Sequence, residues 1–217
     1  MAPRVTLAAT SGGDSRPALV HAEGDVAWLT DWWRARGTQA DTLVNARCDA
    51  STLLSALGSS EVIHFSGHGH FDPESADRCG ILAHGESGEG EVVSLARIAE
   101  VDCRRLRLAT LFSCWSADSF LFPGQWAVSI PATLCRAGAG CVVAPLWEID
   151  DTVAGELLRN VYRGLDMARV DEAVRDAQLA ARSGPDGRMR SPFFWAGLQV
   201  YGNGARVQLT RGARWQR

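Results

Sequence analysis

Two strand-like runs in this sequence end in residues that could carry chemistry. Residues 61–66 (EVIHFS) lead into Gly67-His68-Gly69-His70, and residues 106–113 (LRLATLFS) lead into Cys114. A thiol within reach of an imidazole can be made into thiolate and attack a carbonyl carbon, after which the imidazolium donates its proton to the leaving amine. That chemistry assigns Cys114 as nucleophile and His68 as general acid/base. Gly69 leaves its backbone N–H uncovered, and with the N–H of Cys114 it could form an oxyanion hole. By residue type alone, a strand-end cysteine is more often a small buried hydrophobe, and a histidine between glycines is often a turn residue.

A second chemistry competes for the same stretch. His64, His68 and His70 with Asp72 could present ligands to Zn²⁺, which imidazole suits. The turn at Gly67 breaks the strand alternation that would align His64 with His68, so His64 reads better as a packed or hydrogen-bonded strand histidine. The six cysteines (48, 79, 103, 114, 135 and 141) form no CxxC pair, so no zinc ribbon or thioredoxin-like motif is present. No metal and no cofactor is expected.

The elements that must position these residues follow a strand and helix rhythm. Residues 4–10 (RVTLAAT) read as a strand, and Val26, Leu29, Trp32 and Trp33 recur at helical spacing before a C-capping Gly37. Residues 42–45 make a short strand. A helix capped by Asp49 or Ser51 then runs to Leu57 and stops at Gly58, before the strand EVIHFS. Residues 71–92 are loop-rich, with a small hairpin around Ile81 and Leu82, and a short helix follows over 94–99. The spacing predicts helices over 126–137, from Asp150 or Asp151 to Gly164, and over 170–182, with strands at 141–146 and 194–201. Residues 183–192 read as a mobile loop. The fold class is therefore α/β, with a mainly parallel central sheet of about six strands and helices on both faces. In such sheets ligands bind beyond the carboxyl ends of the strands, the rim that His68 and Cys114 would share if their strands are neighbours.

Composition removes several alternatives. The chain has 217 residues, 46% of them hydrophobic, enough for a single core without metal or disulfide staples. All 22 basic residues are Arg, so a P-loop, a PLP Schiff base and any lysine general base are excluded. The net charge of −3 argues against nucleic-acid binding by bulk charge. No apolar run reaches transmembrane length and the N-terminus lacks a signal-peptide core, which predicts no membrane association and a reducing cytoplasm with free thiols. The glycine-rich stretch 85–90 carries Glu86 and Glu89, which would repel phosphate, and reads as a surface loop. The exclusive use of Arg suits a high-GC bacterial genome.

Four segments, HFSGHGHFD (64–72), SCWS (113–116), GAGCVVAPLWEIDD (138–151) and SPFFWAGLQVYG (191–202), resemble the CHAT domain family, the caspase-like cysteine peptidases of clan CD related to separase. The resemblance spans about residues 4–202. It implies the caspase-like fold, a His/Cys dyad at His68 and Cys114, a peptidase domain over 1–203 and an Arg-rich tail over 204–217. The family's S-A-C-x-T is here F-S-C-W-S, with Ser113 and Ser116 replacing Ala and Thr. The bulky Trp115 is placed beside the nucleophile as a substrate-contacting residue, and Trp126 could also line the groove.

The resemblance further implies a carboxylate in the pocket for the residue before the scissile bond, several relatives preferring Arg there. Asp151, then Asp150, are the candidates, and both are also plausible N-caps of the following helix. Asp72 could orient the histidine loop. The helical repeats that often precede CHAT domains are missing, so besides its protein or peptide substrate the expectation is either a stand-alone protease or one with a separate regulatory or activator protein. The family implication is a cysteine endopeptidase of bacterial regulated proteolysis or defence. The alternatives are a non-catalytic CHAT interaction module and a His-rich metal-dependent hydrolase.

Overall fold

The computed structural model describes residues 2–11, 19, 21–70, 72, 74–75, 78–113, 120–121, 127–184 and 187–206. In chain order the elements are β1 (Val5–Ala9), α1 (Ala22–Arg34), β2 (Ala40–Val44), α2 (Ala50–Ser59), β3 (Val62–Ser66), β4 (Gly69–His70), β5 (Gly80–His84), β6 (Gly90–Ser94) and α3 (Leu95–Ala99). They continue with β7 (Leu108–Phe112), β8 (Phe120–Leu121), β9 (Ala127–Val128), α4 (Ile130–Arg136), β10 (Cys141–Pro145), α5 (Asp151–Gly164), α6 (Val170–Arg182) and β11 (Leu198–Gly202).

Six strands form one sheet in the order β11-β10-β7-β3-β1-β2. All neighbours are parallel except β11, which runs antiparallel to β10. Every residue of β1, β3, β7 and β10 is buried, as expected of parallel strands covered on both faces. Alternation along β3 sends Val62 and His64 to one face and Ile63 and Phe65 to the other. The first face packs on α1, α5 and α6 through Leu29, Trp33, Leu157, Val161 and Val174. The second packs on α2, α3 and α4 through Leu53, Leu57, Ile98 and Leu134, together with Ile81 and Val93 of the antiparallel β4-β5-β6 sheet.

Local chemistry sets the helix starts. Asp49, Ser94, Ser129 and Asp150 each accept a hydrogen bond from a first-turn amide, those of Thr52, Arg97, Ala132 and Val153. The Ser129 cap, followed by Pro131, moves the start of α4 later than the periodicity from position 126 predicts, and Ala127–Val128 pairs instead with Phe120–Leu121. Gly58 does not stop α2, which runs on to Ser59. Its missing side chain lets the helix approach Val101, whose Cγ1 would stand 3.2 Å from a Cβ. Residues 183–192 are not wholly irregular: Gly187–Arg190 and Pro192–Phe194 form 3₁₀ turns, with Met189 buried. Phe194 therefore belongs to a turn, and the last strand begins at Leu198.

Candidate active site

Strand order brings the two reactive segments together. β3 and β7 are adjacent and parallel, with Ser66 directly beside Phe112. One residue further, the Gly67 N–H donates to the Phe112 carbonyl at 3.3 Å. His68 thus stands two residues past the end of one strand, and position 114 two residues past the matched end of the next. Cys114, Trp115 and Trp126 lie outside the described residues. Gly67 is required by packing: a Cβ there would come within 2.5 Å of both Phe65 Cζ and Thr10 Oγ1.

His68 is half-buried on this rim. It borders a small hollow made with Thr10, Leu82, Ala83 and the β5–β6 turn. Its carbonyl accepts from the Leu82 N–H at 3.0 Å, and Gly69 pairs with Ile81. In an antiparallel ladder that pattern turns the Gly69 N–H away from β5. The glycine-rich stretch 85–90 is the turn of this hairpin, as the sequence suggests.

Beside the rim lies a cleft of about 270 Å³. Its floor is the carboxyl edge of the sheet, with Ser66, Gly67, Phe112, Ser113 and Pro145. Its walls come from α1, with Ala22 and Asp25, and from the entry to α5, with Glu148, Ile149 and Asp150. Asp25 is 3% exposed and pairs with Arg159 of α5 at 3.4 Å. Sequence reasoning missed it, although an acid on the apolar stripe of α1 (Ala22, Val26, Leu29, Trp33) is a visible signal. Asp150 is both a cleft residue and the cap of α5, whereas the side chain of Asp151 lies outside the described residues.

Among the described residues no group of three or more His, Cys, Asp or Glu side chains is placed to hold a metal ion. His64 is fully buried, with Nδ1 2.9 Å from Thr110 Oγ1 and Nε2 2.8 Å from Ser66 Oγ, so both ring nitrogens are occupied. Asp72 is turned to its own loop: it pairs with Arg78 at 2.8 Å and accepts the Glu74 N–H. Cys48, Cys79, Cys103, Cys135 and Cys141 are free thiols. Burial pushes the thiols of Cys48 and Cys141 up to about 12 and that of Cys103 to about 11, which makes them poor nucleophiles.

A scan against protein families matches the CHAT domain over residues 5–203. The chain belongs to the CHAT domain family. Among solved structures, it is similar to the complex of the pro- and mature domains of RgpB from Porphyromonas gingivalis, with a TM-score of 0.64, 12% identity, and coverage of 97% of this chain and 49% of that one. It is similar to the separase–securin complex of Saccharomyces cerevisiae, with a TM-score of 0.64, 16% identity, and coverage of 93% of this chain and 12% of that one. It is also similar to the Arg-specific cysteine proteinase gingipain R, with a TM-score of 0.61, 15% identity, and coverage of 97% of this chain and 48% of that one. The CHAT chain thus spans about half of gingipain R and about an eighth of separase. No curated protein matches it. The fold is the caspase-like α/β fold, and among the described residues no helix is long and apolar enough to cross a membrane.

Proposed function

We propose that this CHAT domain is a cysteine endopeptidase with Cys114 as nucleophile and His68 as general acid/base. The observation that supports the reading is the register of β3 and β7, which ends the strands preceding His68 and Cys114 in the sequence side by side, Ser66 against Phe112, next to an open cleft. His68 accepts the thiol proton and returns it to the leaving amine. The amides of Gly69 and Cys114 receive the developing oxyanion, a role compatible with the Gly69 N–H facing away from β5. The cleft takes the side chain preceding the scissile bond, with Trp115 as a further substrate contact. Two carboxylates, Glu148 and Asp150, line that cleft, with Asp151 next in the chain, while the charge of Asp25 is met by Arg159. Glu148 and Asp150 favour a basic side chain, whose guanidinium a carboxylate can hold bidentately. The substrate is a protein or peptide, and the setting is regulated proteolysis or defence in a bacterial cytoplasm.

The test is intact-mass analysis after incubation with an arginyl acyloxymethyl ketone, run beside Cys114→Ala. A single adduct that maps to Cys114 and is absent from the variant is expected. Hydrolysis of an arginyl peptide by Cys114→Ala at the parent's rate would refute the assignment.

A further inference from the structure

His64 takes no part in the dyad, yet it connects the core to the cleft. Alternation on β3 turns it to the α5 face, where it lies beside Thr110, its register partner on β7. The rings of Phe112 and Tyr162 enclose it, at centroid distances of 5.8 and 6.2 Å. Thr110 Oγ1 is 2.8 Å from the Tyr162 hydroxyl and 3.5 Å from the Ile63 carbonyl. At the other end of the ring, Ser66 lines the cleft floor while only 3% exposed. Ser113, at the end of the adjacent strand, lines the same floor, and its buried Oγ has no hydrogen-bond partner among the described residues.

The protons in this chain can be placed by inventory. Burial holds the imidazole neutral, its pKa pushed down to about 3, so the ring carries one proton. The Tyr162 hydroxyl lies 2.8 Å from Thr110 Oγ1, and either oxygen can donate. The side-chain partner of Ser66 is His64 Nε2. Thr110 has a single hydroxyl proton, and directed to the Ile63 carbonyl it leaves Thr110 Oγ1 an acceptor toward His64 Nδ1. With the ring proton on Nδ1 every donor is satisfied. Tyr162 and Nδ1–H both donate to Thr110, Thr110 donates to the Ile63 carbonyl, and Ser66 donates to Nε2. The Ser66 lone pairs are then left for the cleft.

We propose that His64 is a positioning residue which, as the Nδ1–H tautomer, draws the Ser66 proton inward and makes the cleft floor a hydrogen-bond acceptor. The Ser66 oxygen, with that of Ser113 beside it, receives the N–H groups of an entering guanidinium or ammonium side chain. Glu148 and Asp150 on the wall supply charge of the matching sign. This deepens the peptidase reading and rests on it for the identity of the ligand, but its test needs no turnover.

The experiment is long-range ¹H–¹⁵N correlation NMR of the full chain, with benzamidine as the guanidinium-like probe. An unprotonated His64 Nε2 and a protonated Nδ1 are expected, with the Nε2 resonance moving as benzamidine binds. Ser66→Ala is expected to weaken benzamidine binding at least tenfold, with its fold checked by near-ultraviolet circular dichroism. A ring proton on Nε2, no binding of benzamidine by the parent, or unchanged affinity in folded Ser66→Ala would each overturn the proposal. Should Ser66→Ala fail to fold, the tautomer and the response of the parent protein still decide. Absent peptide hydrolysis with these results intact would count against the peptidase reading alone.

Discussion

Asp25 places a carboxylate on the buried stripe of α1, and Arg159 reaches it from 134 positions later in the chain. Gly155 makes room for the pair: a Cβ there would stand 3.1 Å from Arg159 Nη1 and 3.3 Å from Asp25 Oδ1. A buried ion is tolerated when its partner is held in place, and removing one member strands the other. Arg159 is one-third exposed, so water recovers part of that loss. Asp25→Ala is expected to lower stability by about 1–3 kcal/mol in urea denaturation at neutral pH. Asp25→Ala combined with Arg159→Met should cost less than the sum of the single changes, and strict additivity would show the pair to be uncoupled. The acid was legible in the sequence as a break in an apolar stripe. Its partner was not, because nothing local to α1 or α5 says that they pack together.

At the scale of elements, legibility follows from how each element is stabilised. β1, β3, β7 and β10 read clearly because strands buried on both faces are continuous apolar runs, and α6 because its apolar positions recur at helical spacing. The start of α4 was misread because Trp126 extends the helical period across a segment whose backbone the Ser129 cap and the β8–β9 pairing claim first. The relay from Tyr162 to Ser66 was illegible for a different reason, since it exists only once the register sets His64 beside Thr110. Asp49 tests a feature the sequence did reveal. The Thr52 amide and the hydroxyls of Ser51 and Thr52 hold its carboxyl at about 2, below its ordinary value of 3.8. A depressed folded-state value gives stability that is present above the unfolded pKa and is lost as pH falls from about 4 through 2. Asp49→Ala should therefore cost about 1 kcal/mol at pH 7, with the difference from the parent shrinking across that acid window. Thermal melts at pH 7, 4 and 2 measure it, and a pH-independent difference would mean that the charged cap is not responsible.

For the whole molecule, the question is where the folded unit ends. The sheet closes with β11, and Gly202 turns the chain at a φ of +80° so that the Asn203 N–H reaches the Gly140 carbonyl at 2.9 Å. Packing does not stop there. Gly204 is buried, and a Cβ on it would meet Val200 Cγ1 at 2.7 Å and the Asp171 amide of α6 at 3.3 Å. The 3₁₀ turn Gly204–Arg206 thus seals the junction between β11 and the start of α6, the helix that with α5 covers the cleft-bearing face. A boundary at 203 cuts through this seal and exposes Val200 and the first turn of α6. A chain ending at 203 is expected to be less stable than one ending at 206 by about 1 kcal/mol, the scale of a modest loss of buried apolar contact. In a domain of this size that is about 2–4 °C in melting temperature. Equal melting of the two chains would put the edge at 203. A lower melting point for the shorter one would extend the unit through Arg206, because α6 needs the cover of that turn to hold α5, and with it the wall of the cleft, in place.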